Sequence, residues 1–142
     1  MEIKEIQNMA KVIINIDWMD RNFGAAPQNE AIACVATGKT LDEVKQNILS
    51  AIEFHLEGMK LRGEPIPEEF SGDWVPEFVL TTRAQIRYSD NYITRTALSR
   101  ETGINVQQLS HYANGWKRPR PATQRKIIEG IRTISKRLSL IL

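Results

Sequence analysis

Residues 95–115 read RTALSRETGINVQQLSHYANG, and the spacing inside this stretch predicts two short helices joined by a sharp turn. Ala97 and Leu98 begin an apolar face on the first helix, and Gly103 stands where a left-handed residue lets the chain change direction. Ile104 buries in the turn. Asn105 suits the N-cap of the second helix, because its side-chain oxygen can accept one of the free amides of the first turn. Leu109, Tyr112 and Ala113 share one face of that helix and Gly115 closes it, which leaves Val106, Gln107, Gln108, Ser110 and His111 outward. A turn glycine alone says little, since helical hairpins are common. The glycine, the cap, the apolar spacing and the closing glycine say much more together.

The chain continues as Trp116-Lys117-Arg118-Pro119-Arg120, three cations beside the second helix with prolines limiting their freedom. The outward set, with Asn105 at the start of the helix, suits contacts to duplex DNA: the N-terminal part of such a helix enters the major groove, where Gln pairs with adenine N6 and N7. Lys117, Arg118 and Arg120 suit backbone phosphates, as does Arg95 at the start of the first helix. For His111 a backbone contact or solvent reads as well as base readout. The plainer alternative for the whole stretch is a structural helix pair with a solvated basic face.

Charge favours the DNA reading. The whole chain carries a net charge of +2, but residues 1–84 hold 8 basic and 14 acidic residues, net −6, whereas 85–142 hold 11 and 3, net +8. The basic part suits a polyanion and the acidic part a basic surface.

Upstream the period changes. Between Lys11 and Trp18, Val12, Ile14, Ile16 and Trp18 alternate with Ile13, Asn15 and Asp17, as in a strand with one buried face. A turn is expected at 21–24, a short strand over Phe23, Ala25 and Pro27, and a third strand in the apolar run Ala31–Val35, stopped by Thr37-Gly38. Thr40 then opens a helix with a capping box, its hydroxyl accepting from the Glu43 amide while the Glu43 carboxylate returns to the Thr40 amide. Leu41, Val44, Ile48, Ile52, Leu56 and Met59 form one stripe on that helix, and Gly63 with Pro65 stops it. Pro65, Pro67, Gly72 and Pro76 make an irregular stretch, and Phe78–Thr82 after it reads as a fourth strand. The expected fold is α+β: a domain at 1–84 of three strands, a helix and a strand, then an all-α domain at 85–142. In the latter Pro121 suits the first turn of a long last helix. Its stripe of Ile127, Ile131, Ile134, Leu138 and Ile141 fits a dimer interface or packing within its own domain.

At 142 residues with 42% hydrophobic and 25% charged residues, the composition is globular, excluding disordered and fibrous classes. No apolar run reaches the roughly 20 residues of a membrane helix, and MEIKEIQNMAK lacks the apolar core of a signal peptide, so a soluble cytoplasmic protein is expected. One cysteine, Cys34, and two histidines, His55 and His111, make neither an internal disulfide nor a zinc set. No cofactor or metal is expected. Cys34 and Trp74 read as packing residues and His55 as a partly buried neighbour of the helix stripe.

The sequence resembles the HicB antitoxins of bacterial type II toxin–antitoxin systems. The likeness rests on CVATGKTLDEVKQNILSAIEFHLEG at 34–58 and GEPIP at 63–67, followed by a phage-repressor-type helix-turn-helix in TALSRETGINVQQLSHYANGWKRPRP. It covers nearly the whole chain in the expected order. It implies an N-terminal domain with a partial ribonuclease H-like fold that binds and covers a HicA-type toxin, a small mRNA-cleaving ribonuclease with a double-stranded-RNA-binding-like fold. It also implies a C-terminal domain that binds the operator of the shared operon and represses it, as a homodimer or larger homo-oligomer. An RNA-binding toxin should be basic, which agrees with the acidic charge of the first domain. Candidate toxin contacts are Asp17, Asp20 and Glu30 with Trp18 and Phe23 nearby. Taken singly, the preferred reading of each is core for the aromatics and solvent for the carboxylates.

An enzyme reading would rest on Asp17 and Asp20 as metal ligands with Glu53 as a third carboxylate, and the clamp is incomplete. No catalytic residue is assigned. The competing class is a one-component transcription regulator whose N-terminal domain senses a small molecule.

Overall fold

A computed structural model describes residues 8–142; residues 1–7, the start of the stretch read above for a signal peptide, lie outside the described residues. The chain divides into two compact units between Leu80 and Thr81. The first is α+β, a four-stranded mixed sheet carrying a long helix, and the second is all helix.

In the first unit β1 (Ala10–Met19) and β2 (Asn22–Pro27) form an antiparallel hairpin, with Trp18 opposite Phe23 and Met19 opposite Asn22. The reversal falls on Asp20 and Arg21, ahead of the turn expected at 21–24. Asp20 takes φ 56°, a left-handed conformation that Asp tolerates better than most residues. Val12, Ile14 and Ile16 on β1 and Phe23 and Ala25 on β2 are buried, so the period-2 pattern does mark the core face.

The third strand is not the apolar run 31–35. β3 is Ala36–Gly38, antiparallel to β2. Before it, the Asn29 side-chain oxygen accepts from the Ala31 amide at 3.0 Å and its carbonyl from the Ile32 amide at 3.1 Å. Such an Asx turn diverts the backbone from a ladder. Only Ile32 of the run is fully buried, while Val35 is 77% exposed. Cys34 is half-buried, and that burial pushes its thiol above the ordinary value. β4 also departs from expectation. It runs Trp74–Leu80 parallel to β1, giving the sheet order β3-β2-β1-β4. Pro76 is accommodated because β4 is an edge strand, where a missing N–H need not break a ladder bond. The strand cannot reach Thr82, because Thr81 caps a helix there.

α1 (Leu41–Leu61) follows the Thr40 cap, whose hydroxyl accepts from the Glu43 amide at 3.1 Å. The Glu43 carboxylate returns to the Lys39 amide at 3.3 Å, one residue earlier than a strict capping box. Val44, Ile48, Ile52, Leu56 and Met59 are buried. The helix ends in a Schellman arrangement, the Glu64 amide donating to the Met59 carbonyl and the Gly63 amide to the Lys60 carbonyl. Phe70, in a single 3-10 turn at Glu68–Phe70, is buried and meets Trp74 edge to face at 5.4 Å.

The second unit has four helices: α2 (Thr82–Ser89), α3 (Arg95–Thr102), α4 (Val106–Ala113) and α5 (Pro121–Ser139). Its core is Ile86, Leu98, Leu109, Tyr112, Ala113 and Ile127, with Ile93, Ile104, Ile131 and Ile134 packed against it. Thr81, Thr94 and Asn105 each cap the helix that follows with a side-chain oxygen. Among the described residues no helix is long and apolar enough to cross a membrane.

Candidate functional site

The turn between α3 and α4 fixes what the second unit can present. Gly103 has φ 76°, a conformation that costs an ordinary L-residue roughly 1–2 kcal/mol. It therefore stops α3 without strain. Thr102 Oγ1 donates to the Leu98 carbonyl at 2.8 Å and accepts from the Ile104 amide at 3.2 Å. Asn105 Oδ1 then accepts from the Gln108 amide at 2.7 Å. So Asn105, expected among the contact residues, is occupied in starting α4. The far end of α4 is equally defined. The Trp116 amide donates to the His111 carbonyl and the Gly115 amide to the Tyr112 carbonyl, a second Schellman closure.

The outward set separates into two groups. Val106 is 40% exposed and Gln107 is exposed at the first turn of α4. Half-buried Gln108 instead donates from Nε2 to the Tyr112 hydroxyl at 2.8 Å. Ser110 is half-buried, donating to the Val106 carbonyl at 3.0 Å and accepting from Arg95 Nη1 at 3.1 Å. Arg95, expected to meet phosphate, forms a two-pronged pair with Asp90: Nε to Oδ1 at 3.1 Å and Nη2 to Oδ2 at 2.9 Å. It is a clamp between the approach to α3 and the body of α4, and a paired, half-buried guanidinium has most of its charge already answered.

His111 tilts against the Trp116 ring at 5.6 Å, and its Nδ1 is buried with no hydrogen-bond partner among the described residues. Trp116 is 74% exposed. Beyond it Lys117, Arg118 and Arg120 are all exposed, and Arg120 stands at the N-cap of α5 with Pro121 in the first turn. Arg87 was not anticipated. Its Nε donates to the Ala113 carbonyl at 3.0 Å and its Nη2 to Asn114 Oδ1 at 2.7 Å, holding the end of α4 from α2. No local signal marks it, because the partners lie 26 and 27 positions away.

The chain matches no family model, no curated protein and no solved structure.

In the stripe on α5, Ile127 is fully buried and Ile131 and Ile134 are half-buried against the core of the same unit. Only Leu138, 53% exposed, and Ile141, 80% exposed and past the end of α5 at Ser139, remain outward, beside exposed Leu140 and Leu142. The five positions do not form one continuous free surface. Intra-unit packing takes the first three because α3 lies against α5 there, with Thr102 and Leu98 facing Gly130.

The candidate contacts of the first unit separate in a similar way. Phe23 is 3% exposed, and half-buried Trp18 meets it edge to face at 4.9 Å. Asp17 accepts from the Trp18 amide at 2.7 Å, Asp20 forms the hairpin turn, and Glu30 is exposed. The hairpin thus uses both aromatics for its own packing, and Asp20 is a turn former. Among the described residues no three His, Cys, Asp or Glu side chains gather as they would around a metal ion. A concavity lined by Asn29, Glu68, Glu69 and Asp73 is wide open to solvent, offering an apolar metabolite little enclosed surface.

Proposed function

We propose that this chain is an antitoxin whose second unit binds operator DNA and whose first unit, a partial ribonuclease H-like domain, inhibits a basic mRNA-cleaving ribonuclease of the HicA type. The observation that carries the reading is the first turn of α4. There Val106 and Gln107 stand uncovered, and past the other end of the same helix Lys117, Arg118 and Arg120 are exposed. The charge divides with the fold: residues 1–80 hold 7 basic and 14 acidic side chains, net −7, and 81–142 hold 12 and 3, net +9. A cationic surface concentrates on duplex phosphates, and an anionic one repels nucleic acid while attracting a protein evolved to grip it. Neither role requires a reaction at this chain, which we propose is not an enzyme and acts in the cytoplasm.

Within that division Gln107 reads a base edge, while Lys117, Arg118 and Arg120 hold phosphates. Two copies place two α4 helices on half-sites about one DNA turn apart, and the exposed C-terminal stretch from Leu138 at the end of α5 to Ile141 beyond it is the surface left for that pairing.

Lys117→Ala and Arg118→Ala should weaken operator and random duplex alike, each reducing the salt slope by about one unit. Gln107→Ala should instead lose about 1–3 kcal/mol on the operator with little change on random DNA. Titration at several salt concentrations checks both, and equal losses on the two duplexes would remove Gln107 from base reading. A fragment of residues 1–80 should protect cells expressing the neighbouring ribonuclease, and a fragment of 81–142 should not. Protection by the latter alone reverses the assignment of roles.

A further inference from the structure

The long helix of the first unit has a second face. α1 buries Val44, Ile48, Ile52, Leu56 and Met59 and turns Phe54 and Leu61 outward, 79% and 89% exposed. The outer row of a surface helix is ordinarily polar, since apolar groups there gain nothing from folding. These two lie seven positions apart, two turns or about 10 Å along the axis, so they project from the same side. Asn47 and Ser50 continue the row and are both exposed.

One flank of the pair is acidic. Glu43, Glu53 and Glu57 are exposed on the same helix. The nearest cations are exposed Lys60 at its edge and Arg62, which is paired with Glu64 at 2.6 Å. Glu53 and Glu57 border the two large apolar anchors on one flank, and Arg62, with its charge answered by Glu64, lies over Gly58 on the other. This is the pattern of an interface core with a charged border. The sign of the border selects the occupant. Nucleic acid and an anionic membrane would be repelled. A second copy of this face would set carboxylates against carboxylates, which suppresses a pairing. A cationic protein surface with an apolar recess fits.

We infer that the outward face of α1, through Phe54 and Leu61 with Glu53 and Glu57 at the rim, is the surface that docks the cationic ribonuclease. This rests on the antitoxin reading and deepens it, moving the contact from the β1–β2 hairpin to the helix. Phe54 supplies the central anchor, Leu61 the second, and the carboxylates steer approach.

The test uses the full-length chain and the cationic product of the neighbouring reading frame, with affinity read by calorimetry. Phe54→Ser combined with Leu61→Ser should weaken capture at least 100-fold, and Phe54→Ser alone about tenfold, on the scale of central interface anchors. Both positions are exposed, so helix content and operator binding should be unchanged. Val35→Ser, at another exposed apolar residue of the same unit, should leave capture intact. Glu53→Lys with Glu57→Lys should slow association and flatten its salt dependence. Unchanged capture by the double serine variant overturns the surface and leaves the antitoxin reading standing. If the wild-type chain itself fails to capture the neighbour, the antitoxin reading falls and this inference with it. Loss of self-association in the double variant would assign the face to a second copy, which also overturns the proposal.

Discussion

Gly38→Ala is expected to destabilise the N-terminal unit by about 3 kcal/mol or more, the upper range for forcing atoms into filled space. The reason is a backbone crossing. Gly38 ends β3 directly beneath the first turn of α1, where an added Cβ would lie 2.5 Å from the Val44 nitrogen and 2.9 Å from its Cα. The obstacle is main chain in a helix pinned by the Thr40 cap, so no side-chain rotation relieves it. Gly38 does not have a positive φ, so this glycine is needed for proximity alone and even alanine is excluded. Denaturant unfolding of the full chain, followed by amide exchange within residues 8–80, reads the effect. A midpoint shift equivalent to less than about 0.5 kcal/mol, the ordinary scatter of a surface change, would show that β3 can move away at no cost and that the crossing is loose.

The second large effect is expected at Ile127. This side chain is fully buried among Ile86, Leu98, Leu109 and Tyr112, and Ile127→Ala should remove about 2–5 kcal/mol by deleting buried methyls and leaving a cavity. For a unit of this size that approaches its whole stability, so operator binding should fail with it. The companion variant carries Leu138→Ser and Ile141→Ser, where the side chains are exposed. It should keep the helical fold and lose self-association, with operator affinity falling toward that of a single half-site. Light scattering and DNA titration distinguish the two. If Ile127→Ala unfolds nothing, the core assignment is wrong; if the serine pair stays dimeric, the pairing surface lies elsewhere.

These variants also divide what local pattern could reveal from what it could not. The alternation at Val12, Ile14 and Ile16, the stripe from Val44 to Met59 and the Gly103 and Asn105 punctuation all became elements where their periods and caps require. The misreadings share one cause. The run 31–35 is apolar enough for a strand, but the Asn29 turn before it and the pairing of Ala36–Gly38 with β2 are what place the ladder. β4 began earlier than expected because Pro76 counted against a strand, and its tolerance depends on β4 being at an edge. The five-position stripe from Ile127 to Ile141 has one period but two environments, decided by where α3 lies and by the end of α5 at Ser139.

The same limit governs the candidate contacts. A residue's chemistry can be read from its letter, yet its availability depends on partners that are remote in sequence. Arg95 and Ser110 are 15 positions apart and joined, and Arg87 holds the end of α4 from 26 positions away. Trp18 and Phe23 pack on each other across the hairpin, whereas Phe54 and Leu61, on the opposite face of a helix from its buried stripe, are left to solvent.

The amino-acid order by itself determined the α+β class, the long amphipathic helix, the capped turn at 103–105 and the opposite charges of the two halves. Each follows from interactions within a few residues or from simple summation. Only the tertiary structure decided which strand lies at the edge, which cations and amides are already engaged, and which apolar side chains have nothing above them. Those properties belong to pairs of groups brought together by the fold, and local pattern does not encode the distance between them.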